Sequence, residues 1–166
     1  MAIEFFLRLA LFVGLCAIQV LILNHIHLFN VATPLLYIYF VFTFRRNYPR
    51  WMMLLWSFSL GLVMDVFTNT PGLAAGTMTL IAFLQPYLLE LMLPRDAADN
   101  LESSASTLGI SKFILMCLVL TMVYCLVFYA LEAFTFFDWL LWLERVGGSA
   151  VLTLVLIFVI DSVRSA

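Results

Sequence analysis

Charge is what this 166-residue sequence has least of: Asp, Glu, Lys and Arg together make up 11% of it, against about a quarter in soluble domains. That scarcity excludes a soluble catalytic domain, because 65% of the residues are hydrophobic and the mean hydropathy is +1.11. Cysteine is scarce too. Cys16, Cys117 and Cys125 all fall inside apolar runs without CxxC spacing, which argues against a disulfide framework or a zinc site and for small apolar filler. His25 and His27 stand two apart, so on a helix they point to different sides, and no Cys or carboxylate lies beside them to complete a metal site. A Ser-His-Asp set, a phosphate-cradling glycine loop and a nucleic-acid signature are all missing. The methionines show no copper-binding spacing, so no cofactor and no nucleic acid partner are expected.

What is present is a succession of apolar runs about as long as a bilayer is thick. They predict an all-α polytopic membrane protein, residues 1–166 forming a single integral membrane domain with six transmembrane helices over about 3–23, 34–44, 51–66, 71–93, 113–134 and 143–160. The first run lacks a small-residue cleavage site after its apolar core, and Leu15 before Cys16 is too large for a lipoprotein site, so it is expected to remain as an uncleaved helix. The second is short. Pro34 to Phe44 covers only about 16 Å as a helix, yet Arg45, Arg46 and Arg50 follow with Tyr48 and Trp51, which places its end at a surface. Thr33 and Pro34 suit N-cap and N1 positions there. Pro86 is expected to interrupt the fourth span and free the carbonyl of Ala82, Pro94 to Lys112 forms the one long polar loop, and FDWLLWLERVGG reads as an interfacial segment feeding the last helix.

Six spans put Arg8, Arg45, Arg46, Arg50, Arg95, Lys112 and Arg164 on one side and leave Arg145 alone on the other, near Glu132, Asp138 and Glu144. By the positive-inside rule both termini are cytoplasmic. Arg45, Arg46 and Arg50 then serve as a topology determinant that meets anionic lipid headgroups or a cytoplasmic partner. Glu90, near the inner end of the fourth span, is expected to snorkel or to pair with Arg95.

Charge, turn chemistry and small residues converge in one stretch, Gly61 to Gly76, reading GLVMDVFTNTPGLAAG. Asp65 ends the third span, Thr68, Asn69 and Thr70 make a turn, and Pro71 and Gly72 open the fourth. A carboxylate at a helix C-terminus opposes that helix's dipole and needs a partner. The candidates are the free amides of the next helix, Thr68 or Thr70, or Arg145. Gly72 and Gly76, flanking Ala74 and Ala75, are expected to form a close-packing face.

This stretch resembles the signature of MreD, the rod-shape-determining membrane protein family: Gly, three apolar residues, Asp, a polar turn, then Pro-Gly before the next helix, here Gly61, Asp65, Thr70, Pro71, Gly72 and Gly76. The length, the short second span after ATPLLY and the PRDAADN loop also resemble that family, in particular its Bacteroidetes-type members. The resemblance implies a non-enzymatic subunit of the bacterial cell-elongation (rod) complex in the cytoplasmic (inner) membrane. It implies binding to MreC and, through that complex, support of peptidoglycan synthesis by a RodA-type glycosyltransferase with its class B penicillin-binding transpeptidase, coordinated with MreB. Self-association stays open. The family's similarity in fold to S-components of energy-coupling-factor transporters supplies the alternative, a substrate-binding subunit of a vitamin transporter. A scaffold predicts an interior filled by apolar side chains. A transporter subunit predicts a polar cavity near the outer side, lined by residues such as Asn69, Gln85, Glu132 or Arg145.

Overall fold

The computed structural model describes residues 2–22, 25, 34–98, 101, 105–133 and 138–165. Its elements are helical throughout: α1 (Ala2–Leu21), a 3-10 turn (Leu36–Ile38) running into α2 (Tyr39–Phe42), α3 (Arg50–Thr68), α4 (Leu73–Met92), α5 (Ala105–Leu108), α6 (Ile110–Ala133) and α7 (Trp139–Ser165). Among the described residues five helices, α1, α3, α4, α6 and α7, are long and apolar enough to cross a membrane. Their 19 to 27 residues match a hydrocarbon core of about 30 Å at 1.5 Å per residue.

Two sequence expectations change here. Pro86 does not break α4, which continues through it to Met92, as membrane helices can when neighbours re-satisfy the freed backbone. FDWLLWLERVGG does not stand apart from the last helix, since α7 starts at Trp139 and takes in its described part. His27 and Thr33 lie outside the described residues. His25 is exposed just beyond α1, its amide bonded to the Ile22 carbonyl at 3.2 Å.

The second expected span takes an unusual form. Only Leu36 to Phe42 is helical, too short to cross as a free helix, and from Leu35 to Phe42 no residue is more than 5% exposed. Protein, not lipid, surrounds it. Irregular backbone at membrane depth is tolerated only under those conditions, and its polar groups are met one by one. Gln19 of α1 donates from Nε2 to the Pro34 carbonyl at 2.9 Å and accepts the Leu36 amide at 2.9 Å. Thr153 of α7 accepts the Leu35 amide at 3.1 Å.

From that bracket the segment descends antiparallel to α1. The Phe12 and Phe40 rings meet at 6.0 Å, the Arg8 guanidinium lies 4.7 Å from the Phe44 ring, and Arg45 reaches Glu4 at 3.2 Å. Glu4 to Gln19 spans about 22 Å of helix axis. Replacing Gln19 with Leu would orphan two backbone groups at about 1–3 kcal/mol each. We expect a clearly lowered thermal midpoint for the detergent-solubilised Gln19→Leu chain, with Gln19→Glu, which keeps the acceptor alone, in between. Equal midpoints for Gln19→Leu and the parent would remove the bracket from this account.

The core is filled by Phe40, Phe42, Phe44, Phe113, Tyr124 and by Ile, Leu and Met side chains from α3, α4 and α6. α3 and α4 pack most extensively, α6 lies against both α4 and α7, and α1 is the most exposed of the long helices. Apart from Arg145, near the start of α7, the described basic residues gather at one end. Arg46 donates to the carbonyl of Ala97 at 2.9 Å and its amide bonds Leu101 at 3.0 Å. Lys112 reaches the Met92 carbonyl at 2.9 Å, and Arg164 lines a cavity with Glu4, Arg8 and Arg45. Ala2 and Ser165, the first and last described residues, therefore lie at the same end of the bundle. The α3–α4 turn lies at the other.

Candidate functional site

Gly61 and Asp65 stand four apart and so share one face of α3, together with the buried Ser57, Leu60 and Met64. That face meets the first turns of α4 with no room for a side chain at position 61. A Cβ on Gly61 would sit 2.5 Å from the Ala74 carbonyl oxygen and 2.5 Å from the Ala75 Cα. The backbones are thus nearly in contact, and one turn further along α3 the Asp65 carboxylate reaches the start of α4.

There it does a cap's work from another helix. α4 has Gly72 at its N-cap position and no side-chain cap of its own. Asp65 Oδ1 accepts the amide of Ala74 at 2.8 Å and Oδ2 that of Ala75 at 3.0 Å, two of the donors every helix start leaves unpaired. The Thr70 hydroxyl donates to Oδ1 at 3.0 Å. With three donors and 5% exposure, the carboxylate is a buried anion at the positive end of the α4 dipole, which offsets its unfavourable place at the end of α3.

The turn between them is shaped to allow this. Asn69 is left-handed at φ 57 and closes α3, and Gly72 has φ 82, a conformation that costs glycine nothing. The Thr70 amide returns to the Asp65 carbonyl at 3.1 Å, and the Thr68 hydroxyl donates to the Met64 carbonyl at 2.8 Å, with Thr70 Oγ1 2.7 Å away. Pro71 is exposed at the tip. The sixteen-residue stretch is one hydrogen-bonded hairpin.

Three expectations need correcting. Gly76 is not at a backbone contact: nothing lies within 4 Å of a Cβ built there, nor at Gly72. It is exposed on the face of α4 that carries Leu80, Phe83 and Tyr87, while Ala74, Ala75 and Met78 turn inward. The close approach is at Gly61. Arg145, half-buried on α7, forms no ion pair with Asp65 among the described residues. Glu90 pairs with Arg50 at 3.7 Å, not with Arg95, because the α3–α4 hairpin brings the start of one helix beside the end of the other.

Arg45, Arg46 and Arg50 do not form one open patch. Arg45 faces Glu4, Arg46 bonds the carbonyls of Ala97 and Leu101, and Arg50 stacks on Tyr87 at 4.9 Å while donating to its hydroxyl at 3.2 Å. Cys16, Cys117 and Cys125 are buried free thiols, and no group of three metal-ligating side chains occurs among the described residues.

A buried polar string escaped the sequence reading. Tyr37 and Tyr124 share a hydroxyl–hydroxyl hydrogen bond with rings edge to face at 5.8 Å. Tyr129 bonds Ser149 at 2.7 Å, and Thr153 donates to the Ser149 carbonyl at 2.6 Å. Each tyrosine sits within an apolar run, where the ring reads as core and nothing local marks the hydroxyl's partner. The string ties the short second segment and α7 to α6, the helices around which the hairpin is set. No family model, curated protein or solved structure matches the chain.

Proposed function

We propose that the chain is a non-enzymatic membrane subunit of the bacterial cell-elongation machinery, of the MreD type, and that it acts by holding partner helices in place. The observation that carries this reading is the Asp65 hairpin. The residues through which the sequence resembles that family resolve into one device: Gly61 admits α4, Asp65 and Thr70 cap it, and Gly72 makes the turn. A carboxylate with its oxygens taken by two amides and a hydroxyl serves rigidity. It leaves the exposed apolar faces of α1, α3 and α4, with Phe6, Phe58, Val66, Phe67 and Phe83 among them, for lipid or partner helices.

In this reading the buried 34–44 segment is the sixth crossing, so both termini share the basic end, and that end is cytoplasmic by the positive-inside rule. MreC is the direct partner, with the RodA-type glycosyltransferase, its transpeptidase and MreB reached through the complex. The packed aromatic and aliphatic core suits a scaffold. The deciding experiment is affinity capture of the tagged full chain from gently solubilised native membranes, followed by mass spectrometry. Recovery of MreC and the elongation synthase is expected; recovery of transporter ATPase subunits in their place would overturn the proposal.

A further inference from the structure

Around the first turns of α1 the basic end is hollowed on two sides. A cavity of about 560 Å³ lies against the 45–52 connection, lined by Glu4, Phe5, Arg8, Arg45, Tyr48 and Met52 among others. A second, of about 200 Å³, lies toward the end of α7, where Arg164 and Leu11 join Glu4, Arg8 and Arg45. Three guanidiniums, those of Arg8, Arg45 and Arg164, and the Glu4 carboxylate thus line the hollows around one helix end.

The guanidiniums differ in how they are held. That of Arg8 is sandwiched against two rings, 4.7 Å from the Phe44 centroid and 4.2 Å from that of Tyr48, so its position is set before anything binds. Arg45 meets Glu4 at 3.2 Å, with both side chains substantially exposed at 43% and 60%. Such a pair contributes little and yields to a phosphate, whose oxygens suit the arginine fork. Arg164, in the last turn of α7, is exposed. Phe5 and Met52 give the larger cavity an apolar side and Leu7 and Leu11 the smaller, with Asn47 and Thr43 adding one polar side chain to each. The larger cavity falls within the size of small-molecule sites, about 300–1,000 Å³.

A ligand that satisfies all of this is an anion with a hydrocarbon tail. We propose that this pair of cavities, which share Arg8 and Arg45 as walls, binds one anionic glycerophospholipid from the leaflet at the basic end. Its phosphate sits at Arg8 and Arg45, with Arg164 reaching it from the smaller cavity, and an acyl chain lies along Phe5 and Met52 of the larger. Glu4 is the competitor the headgroup displaces from Arg45. The site does not depend on the chain's being an elongation subunit, since it rests on the cleft alone.

The test is native mass spectrometry of the purified full chain in neutral detergent, titrated with dioleoylphosphatidylglycerol, dioleoylphosphatidylcholine or glycerol 3-phosphate. One saturable phosphatidylglycerol adduct is expected, with phosphatidylcholine much weaker and glycerol 3-phosphate not retained. Arg45→Gln and Arg164→Gln should each weaken that adduct about fivefold, Glu4→Gln should strengthen it, and Arg50→Gln, at the same end but outside the cleft, should leave it unchanged. Arg164 is exposed, so its variant serves even where loss of the Glu4 pair harms folding of Arg45→Gln. Equal retention of the two lipids would overturn the proposal. So would an unchanged adduct in Arg164→Gln and Arg45→Gln, or binding of glycerol 3-phosphate as tight as the lipid's, which would make the site one for soluble phosphates.

Discussion

Asp65→Ala is expected to destabilise the protein by about 2–5 kcal/mol, because it strands two backbone amides and a hydroxyl at once. Ala74 and Ala75 donate to the carboxylate at 2.8 and 3.0 Å and Thr70 at 3.0 Å. An unsatisfied buried donor costs about 1–3 kcal/mol, and the position near the membrane surface lets water recover part of that for Thr70. The two amides have no such recourse while Gly61 holds the helices in backbone contact. Asp65→Asn separates hydrogen bonding from charge. Its carbonyl still accepts from one amide, but its NH2 group faces the other donor and the favourable term with the α4 dipole, about 0.3–1 kcal/mol, is lost. The expected order is therefore parent, Asn, Ala. Thermal unfolding of the solubilised chain, followed by size-exclusion recovery, reads this order directly. An alanine variant as stable as the parent would mean that the carboxylate is not what fastens the hairpin, and the functional reading would lose its main support.

The partners of Asp65 were legible in the sequence because they are local. A carboxylate at one helix end, a turn, and the bare amides of the next helix lie within ten residues, and capping chemistry at that range follows from residue type and spacing. Helix positions were legible for a related reason: apolar length against bilayer thickness fixes where α1, α3, α4, α6 and α7 run. Faces are a different matter. Lipid is as apolar as a protein core, so a membrane helix need not be polar on its outer side, and nothing in LAAGTMTLIAF separates Gly76, which is exposed, from Ala75, which is buried. Long-range pairs were equally hidden. Tyr37 finds Tyr124 and Leu35 finds Thr153 across 87 and 118 positions, so the buried course of the second segment depends on contacts that no window of sequence contains. Its brevity pointed to an unusual element. Only the bracket by Gln19 and Thr153 explains how so little helix survives at that depth.

The two glycines of the hairpin make the sharpest contrast. Gly61→Ala adds one carbon that would lie 2.5 Å from both the Ala74 oxygen and the Ala75 Cα, and 2.7 Å from the Ala74 carbonyl carbon. These are backbone atoms, so no rotamer change relieves the clash; α3 and α4 must separate. Separation also lengthens the Asp65 hydrogen bonds one turn away, so the substitution carries the overpacking cost of about 1–3 kcal/mol together with part of the Asp65 term. Gly61→Leu should abolish recovery of folded protein. Gly76→Ala and Gly76→Leu should be recovered at parent levels and be as stable as it or more so, by up to about 1 kcal/mol, because the added atoms enter open space and both residues favour a helix more than glycine does. If Gly76→Leu folds normally yet loses the partner recovered from membranes, that face of α4 belongs to the partner interface. Parent-like stability of Gly61→Ala would be incompatible with the close approach of α3 and α4, and with it the geometry by which Asp65 reaches its amides.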